Sequence, residues 1–218
     1  MPVQALDAVD RRTSRGRLKM LLVLLVCAAP VMASYLAYFV IRPSARSNYG
    51  ELVEPQRPIP ESLRLTDLHG VAVDPASLKG QWLVVVVAGG ACDARCERLL
   101  WLQRQLREAL GRDKERVDKL WLVNDSSVPR RATLDAVGAG AAGGLGSGNA
   151  AAVLRAAPQA LSAWLAAAPG STLEDHLYIV DPMGHWMMRS PALPDPSRLK
   201  RDVDRLLRAS AGWDRDGR

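Results

Sequence analysis

Cys92 and Cys96 are the two residues whose type and spacing could do chemistry together. Sulfurs four residues apart share a face when both lie in the first turn of a helix. The unpaired backbone N–H groups of such a turn favour a thiolate. Arg95 and Arg98 favour the thiolate as well, while Asp93 and Glu97 oppose it. Two chemistries are open to the pair. The sulfurs can bond to each other if their Cα atoms come within about 7 Å, or they can hold Cu(I), which prefers soft thiolates. The plain alternative is a stabilising disulfide or two idle thiols. Structural zinc normally takes four protein ligands, and one cysteine pair with three scattered histidines (His69, His176, His185) disfavours it. The third cysteine, Cys27, sits in an apolar run and is expected to be inert; three cysteines make no disulfide framework.

The elements around the pair can be read outward from it. Leu83 to Ala88 is a run of valines bounded by glycines, which suits a central strand covered on both faces. Gly89 and Gly90 make the turn, and from Ala94 the leucines at 99, 102, 106 and 110 fall at helical spacing. Cys92, by its place in the turn, is the more exposed sulfur and so the nucleophile of an exchange reaction, with Cys96 resolving. Trp82, Trp101 and Trp121 are expected to pack in or beside the core, and Met187 and Met188 to alternate faces of a strand.

Met20 to Ile41 is 22 residues without a charge, enough to cross the roughly 30 Å hydrocarbon layer as a helix. Tyr35, Tyr38 and Phe39 cluster near its end, where aromatic rings settle at the interface, and Pro30 is tolerated. The apolar run continues eight residues past the small-residue site at Ala33, which favours an uncleaved anchor over a signal peptide. A lipid anchor at Cys27 is disfavoured by the bulky Val26 before it. The basic residues Arg11, Arg12, Arg15, Arg17 and Lys19 predict a cytoplasmic N-terminus and an exported domain, on the periplasmic side of the inner membrane. The formal charge is +6, and half of that excess lies in residues 1–19. The remainder carries no footprint for a polyanion, so no nucleic-acid partner is expected.

Residues 42–61 are polar and carry four prolines, and read as a tether. Leu63 to Val73 alternates around His69-Gly70, which predicts a hairpin with His69 in its turn. Val117 to Asn124 reads as a second core strand, and Arg130 to Val137 as a short helix. Gly138 to Gly148 is a low-complexity, flexible insertion whose glycines lack the GxGxxG or Lys-Ser/Thr context of a nucleotide loop, so no nucleotide cofactor is expected. Ala150 to Ala168 reads as an alanine-rich helix stopped by Pro169-Gly170. Leu177 to Val180 is a third strand, His185 to Met188 its hairpin partner, and Ser197 to Arg208 a closing amphipathic helix. This order predicts an α/β, thioredoxin-like mixed sheet flanked by helices, preceded by a single N-terminal transmembrane helix. The domain plan is a basic tail (1–19), an anchor (20–41), the tether (42–61), the thioredoxin-like domain (62–210) with its insertion at 138–148, and a C-terminal tail (211–218).

The stretch from Leu65 to Leu110 resembles the Sco (SenC/PrrC) family of membrane-tethered, thioredoxin-like copper chaperones. The matching residues are LTDLHGVAVDPASLKGQWLVVVV, then CDARC as C-x-x-x-C opening a helix, and DHLYIVDPMG, which is similar to the family's DH…YLIDPxG segment. Asp93 and Glu97 stand where the family usually has proline after each cysteine. Counted back from Asp181, Glu174 holds the place of the family histidine, two residues before His176. The resemblance implies a copper site of Cys92, Cys96 and His176. It also implies Cu(I) as the cargo, and a part in assembling the copper centre of cytochrome c oxidase, with that oxidase's copper-centre subunit as partner. Two alternatives stay open. One is a thiol–disulfide oxidoreductase acting on a partner's cysteines; the other is a scaffold that kept the fold while its site decayed. Fold does not choose among them.

Overall fold

A computed structural model describes residues 3–41, 48–138 and 150–211. The chain divides into two compact units, residues 1–47 and 48–218.

In the first unit a helix, α1 (Val3–Leu36), contains Pro30 and continues into a π-helical turn, Ala37–Ile41. Within it Lys19–Phe39 is long and apolar enough to cross a membrane, and none of that stretch is buried. Such a surface is at ease in hydrocarbon and unstable in water.

The second unit is an α/β layer structure. Its elements are β1 (Glu51–Pro58), β2 (Leu65–Thr66), β3 (Ala72–Val73), β4 (Trp82–Ala88), α2 (Ala94–Ala109), β5 (Val117–Val123), α3 (Arg131–Ala136), β6 (Ala151–Ala156), α4 (Pro158–Trp164), β7 (Leu177–Val180), β8 (His185–Arg189) and α5 (Pro196–Ala209). The eight strands form one sheet in the order β1-β8-β7-β4-β5-β6-β2-β3. β4, β5 and β6 run parallel, and the outer strands add antiparallel on both sides. A parallel centre needs cover on both faces, and alternate residues of β4 supply it. Trp82, Val84, Val86 and Ala88 join one core layer with Leu99, Leu102 and Leu106 of α2 and Leu199 and Val203 of α5. Leu83, Val85 and Val87 join the other, with Leu161 and Trp164 of α4. This is the expected thioredoxin-like mixed sheet between helices.

Two stretches differ from their sequence reading. Ala150 to Ala168 is no single helix: Ala151–Ala156 is β6, parallel to β5 with Trp121 opposite Val153, and only Pro158–Trp164 is helical. Alanine's helical preference amounts to a few tenths of a kcal/mol per residue, whereas the slot beside β5 offers a full ladder of hydrogen bonds. Proline at the first helical position then starts α4. Within the stretch read as a tether, Glu51–Pro58 pairs with β8 as an edge strand, carries two prolines and a register shift between Leu52 and Arg57, and is mostly exposed. Proline is tolerated on an edge because the outward N–H has no partner to lose. The glycine-rich insertion from residue 139 and the tail from residue 212 lie outside the described residues.

Candidate functional site

β4 delivers the chain to the end of the sheet at Ala88, and α2 leaves from there. Asp93 is the N-cap of α2; its carboxylate accepts the Cys96 N–H at 2.9 Å. Cys96 therefore sits in the first helical turn, while Cys92 precedes the cap. The condition that both lie in that turn is met by Cys96 alone. The difference is a backbone bend at Cys92, whose N–H donates to the Gly89 carbonyl at 3.1 Å and whose φ is +46°. That left-handed conformation is uncommon for a residue with a Cβ. It brings the two Cα atoms to 5.1 Å, and a disulfide joins Cys92 to Cys96. Both cysteines are equally enclosed, at 3 % exposure, within the core layer under α2. Cys92 is thus no more open than Cys96, contrary to its place in the turn.

The segment after β5 packs against the turn that carries Cys92. A Cβ on Gly89 would lie 2.5 Å from Asp125 Oδ2, and one on Gly90 would lie 2.2 Å from the Ser127 carbonyl oxygen. At Gly90 the opposing atom is backbone, so only glycine permits that approach. The Asp125 carboxylate accepts the Gly90 N–H at 2.8 Å and both the N–H and Oγ–H of Ser127 at 3.0 Å. The Gly90 N–H foremost, with the Ser127 bonds and Arg155 adding to it, holds the Asp125 carboxyl below the ordinary carboxylate range. Arg155 of β6 fixes the segment by donating to the carbonyls of Asp125 (2.7 Å) and Ser127 (2.9 Å). Arg130 closes it, its Nη2 donating to the Cys92 carbonyl at 2.6 Å and to Glu97 Oε1 at 2.7 Å.

The 3-10 turn Leu173–Asp175 also reaches the head of α2. Asp175 pairs with Arg95 in the first turn of α2. Its carboxyl is held low chiefly by the Thr172 N–H, with the Thr172 hydroxyl and Arg95 adding to it. Glu174, at the place of the family histidine, accepts a hydrogen bond from Asn124 Nδ2 at 2.8 Å, at the end of β5.

His176 lies elsewhere. Leu177 and Ile179 of β7 face the core layer that contains the cysteines, whereas Tyr178 and Val180 face the other. His176 has the parity of Tyr178 and stacks edge-on to its ring, 6.2 Å between centroids. It is buried, with Nδ1 2.8 Å from the Ser190 carbonyl and Nε2 accepting the Ala168 N–H at 3.3 Å. Burial foremost lowers its pKa from the usual 6.5, so the ring is neutral, with Nδ1–H as donor. Both ring nitrogens are engaged by backbone. The structure brings Cys92 and Cys96 together and does not bring His176 to them. Among the described residues, no three or more His, Cys, Asp or Glu side chains gather as a metal site. His69 is in its exposed turn, and His185 bonds to Asp181 Oδ2 at 3.1 Å.

Asp125, Arg130 and Arg155 are the site residues that sequence reasoning missed. Asp125 and Arg130 meet the cysteine loop across at least 33 positions, Arg155 acts on it through the Asp125 and Ser127 carbonyls, and the one sequence trace of them is the Gly89-Gly90 pair itself.

Copper-bound yeast Sco1 is similar in structure, at TM-score 0.51 and 13 % identity over 70 % of this chain and 95 % of that one. So are a putative electron transfer protein from Aquifex aeolicus (0.51, 14 %, 70 % and 94 %) and apo Sco1 from Thermus thermophilus (0.50, 16 %, 76 % and 98 %). Identities this low mark a divergent chain that shares the Sco fold. No curated protein matches it in sequence. A family model described as "transmembrane-like, thioredoxin-like, C-terminal domain" matches residues 82–210. That span takes in β4, the cysteine pair and every later element of the sheet, more than half of the chain, and it is to this family that the protein belongs.

Proposed function

We propose that this is a membrane-anchored, Sco-like protein whose reduced Cys92–Cys96 pair takes up Cu(I) as cargo and passes it on. The receiver is the copper-centre subunit of a respiratory oxidase. The observation that carries the reading is the sulfur pair, with Cα atoms 5.1 Å apart, at the head of α2 on the scaffold shared with copper-bound yeast Sco1. Two thiolates can hold Cu(I) in low coordination without a third ligand, and the placement of His176 favours that form. Loading begins when two electrons and two protons from an exported dithiol of the thioredoxin class open the disulfide. Cu(I) then displaces the two thiol protons. A soft ligand on the receiving subunit replaces one sulfur, then the other. With the basic tail inside, the domain works on the periplasmic side.

Anaerobic Cu(I) titration of the reduced, detergent-solubilised chain tests this. One Cu(I) per chain is expected, lost in Cys92→Ser and retained in His176→Ala. Failure to take up Cu(I) rejects the reading.

A second reading, thiol–disulfide exchange on a partner's cysteines, is favoured by one observation: the two cysteines are bonded to each other. The reduced Cys92 thiolate would attack a partner disulfide and release one partner thiolate. Cys96 would then attack the mixed disulfide, release the second partner thiolate and restore the Cys92–Cys96 bond, so that two electrons reach the partner. Trapping of a mixed disulfide by Cys96→Ser supports it; the absence of any trapped species counts against it.

A further inference from the structure

We propose that Arg130 is the positioning residue of the cysteine pair: its guanidinium holds Cys92 in the left-handed conformation from which its sulfur reaches Cys96. This deepens the proposed function and rests on its reading of the pair as a working dithiol couple.

Cys92 is one of two non-glycine residues with positive φ among the described residues, a conformation that persists only where its surroundings enforce it. The Arg130 contact to the Cys92 carbonyl, at 2.6 Å, is a charge-assisted bond to the bent residue itself. The same nitrogen reaches Glu97 Oε1 at 2.7 Å. One group thus ties the residue bearing the first sulfur to the residue beside the second. The grip is anchored from behind: Arg130 is the N-cap of α3, and its carbonyl accepts the N–H groups of Thr133 and Leu134 at 3.0 Å. Its side chain remains 56 % exposed, so it contributes little to the core and a substitution leaves the fold standing.

Arg130 could act on the couple in two ways, and they have opposite signs. As a clamp it pre-organises the sulfurs, so its removal weakens the disulfide against an external thiol. As a bare charge beside a thiolate it stabilises the reduced form, so its removal strengthens the disulfide. The clamp is the role proposed, because the contact falls on the Cys92 backbone.

The test equilibrates the full chain in detergent with reduced and oxidised glutathione. Two glutathiones give two electrons and two protons to the pair and leave as one glutathione disulfide, while the protein disulfide becomes a dithiol. Arg130→Gln is expected to shift this equilibrium toward the dithiol by about five- to tenfold, the size of one partly exposed charged hydrogen bond. Arg130→Lys keeps the charge without the planar, two-way grip, and shifts the same way. An unchanged constant in both variants, or a shift toward the disulfide, overturns the proposal. A purely structural role moves the melting temperature without moving this constant. No copper enters the readout, so its failure is separate from failure of the copper reading.

Discussion

The loop that carries Cys92 and the pocket that holds His176 lie on opposite faces of one sheet, and they are built by different rules. Around the cysteines, charged side chains bind backbone. Asp125 takes the Gly90 N–H, Arg130 takes the Cys92 carbonyl, and Gly90 lets the next loop approach closer than a side chain allows. Around His176, backbone binds the side chain, and each ring nitrogen meets a main-chain group. The first arrangement holds a bent chain where two sulfurs must meet. The second satisfies a buried polar ring. One joins two sulfurs across a bent chain and the other satisfies a buried ring, so the histidine fits a packing role.

The comparison can be broken most decisively at Cys92. Cys92→Ser is expected to abolish Cu(I) uptake by the reduced protein while leaving it folded, as read by titration beside circular dichroism. Next in size is Gly90→Ala. A methyl group there would meet the Ser127 carbonyl oxygen at 2.2 Å, and forced overpacking of this kind costs about 1–3 kcal/mol. Denaturant unfolding should show that loss, with a smaller one for Gly89→Ala, because the Asp125 side chain can turn aside.

The site and the fold were legible to different depths. The valine run, the leucine spacing of α2 and the cysteine pair declare themselves locally, since each needs only its own neighbours. β6 does not. The composition AAVLRA favours a helix, and only the vacancy beside β5 makes Ala151–Ala156 a strand. β1 hides behind its prolines for the same reason, being defined by pairing with β8. At the site, Asp125 falls between a strand and a short helix and Arg130 reads as the start of that helix, because their partners are 35 and 38 residues away. His176 shows the reverse failure. Its sequence neighbourhood resembles a ligand's, but strand parity turns it to the other face.

His176→Ala should cost about 2 kcal/mol, since two buried backbone groups lose their partner, and should leave Cu(I) stoichiometry unchanged. A loss of copper without a loss of stability would invert the comparison.

The smallest effect concerns acid. Burial, helped by Arg189, holds His176 below its usual 6.5, against the opposing Ser190 carbonyl bond, Asp175 and Glu51. The unfolded chain therefore takes up the proton first. The stabilisation is full above pH 6.5 and is lost as pH falls through the lower, folded value. Melting temperatures of the wild type should decline over that window more steeply than those of His176→Gln. The depressed carboxyls of Asp125 and Asp175 act in a separate window, as pH falls below their ordinary 3.8.

X-ray absorption at the copper edge of the Cu(I)-loaded chain tests the central claim most directly. The account predicts two sulfur neighbours and no imidazole nitrogen, with a spectrum that His176→Ala leaves unchanged. A nitrogen neighbour that disappears in His176→Ala would contradict it.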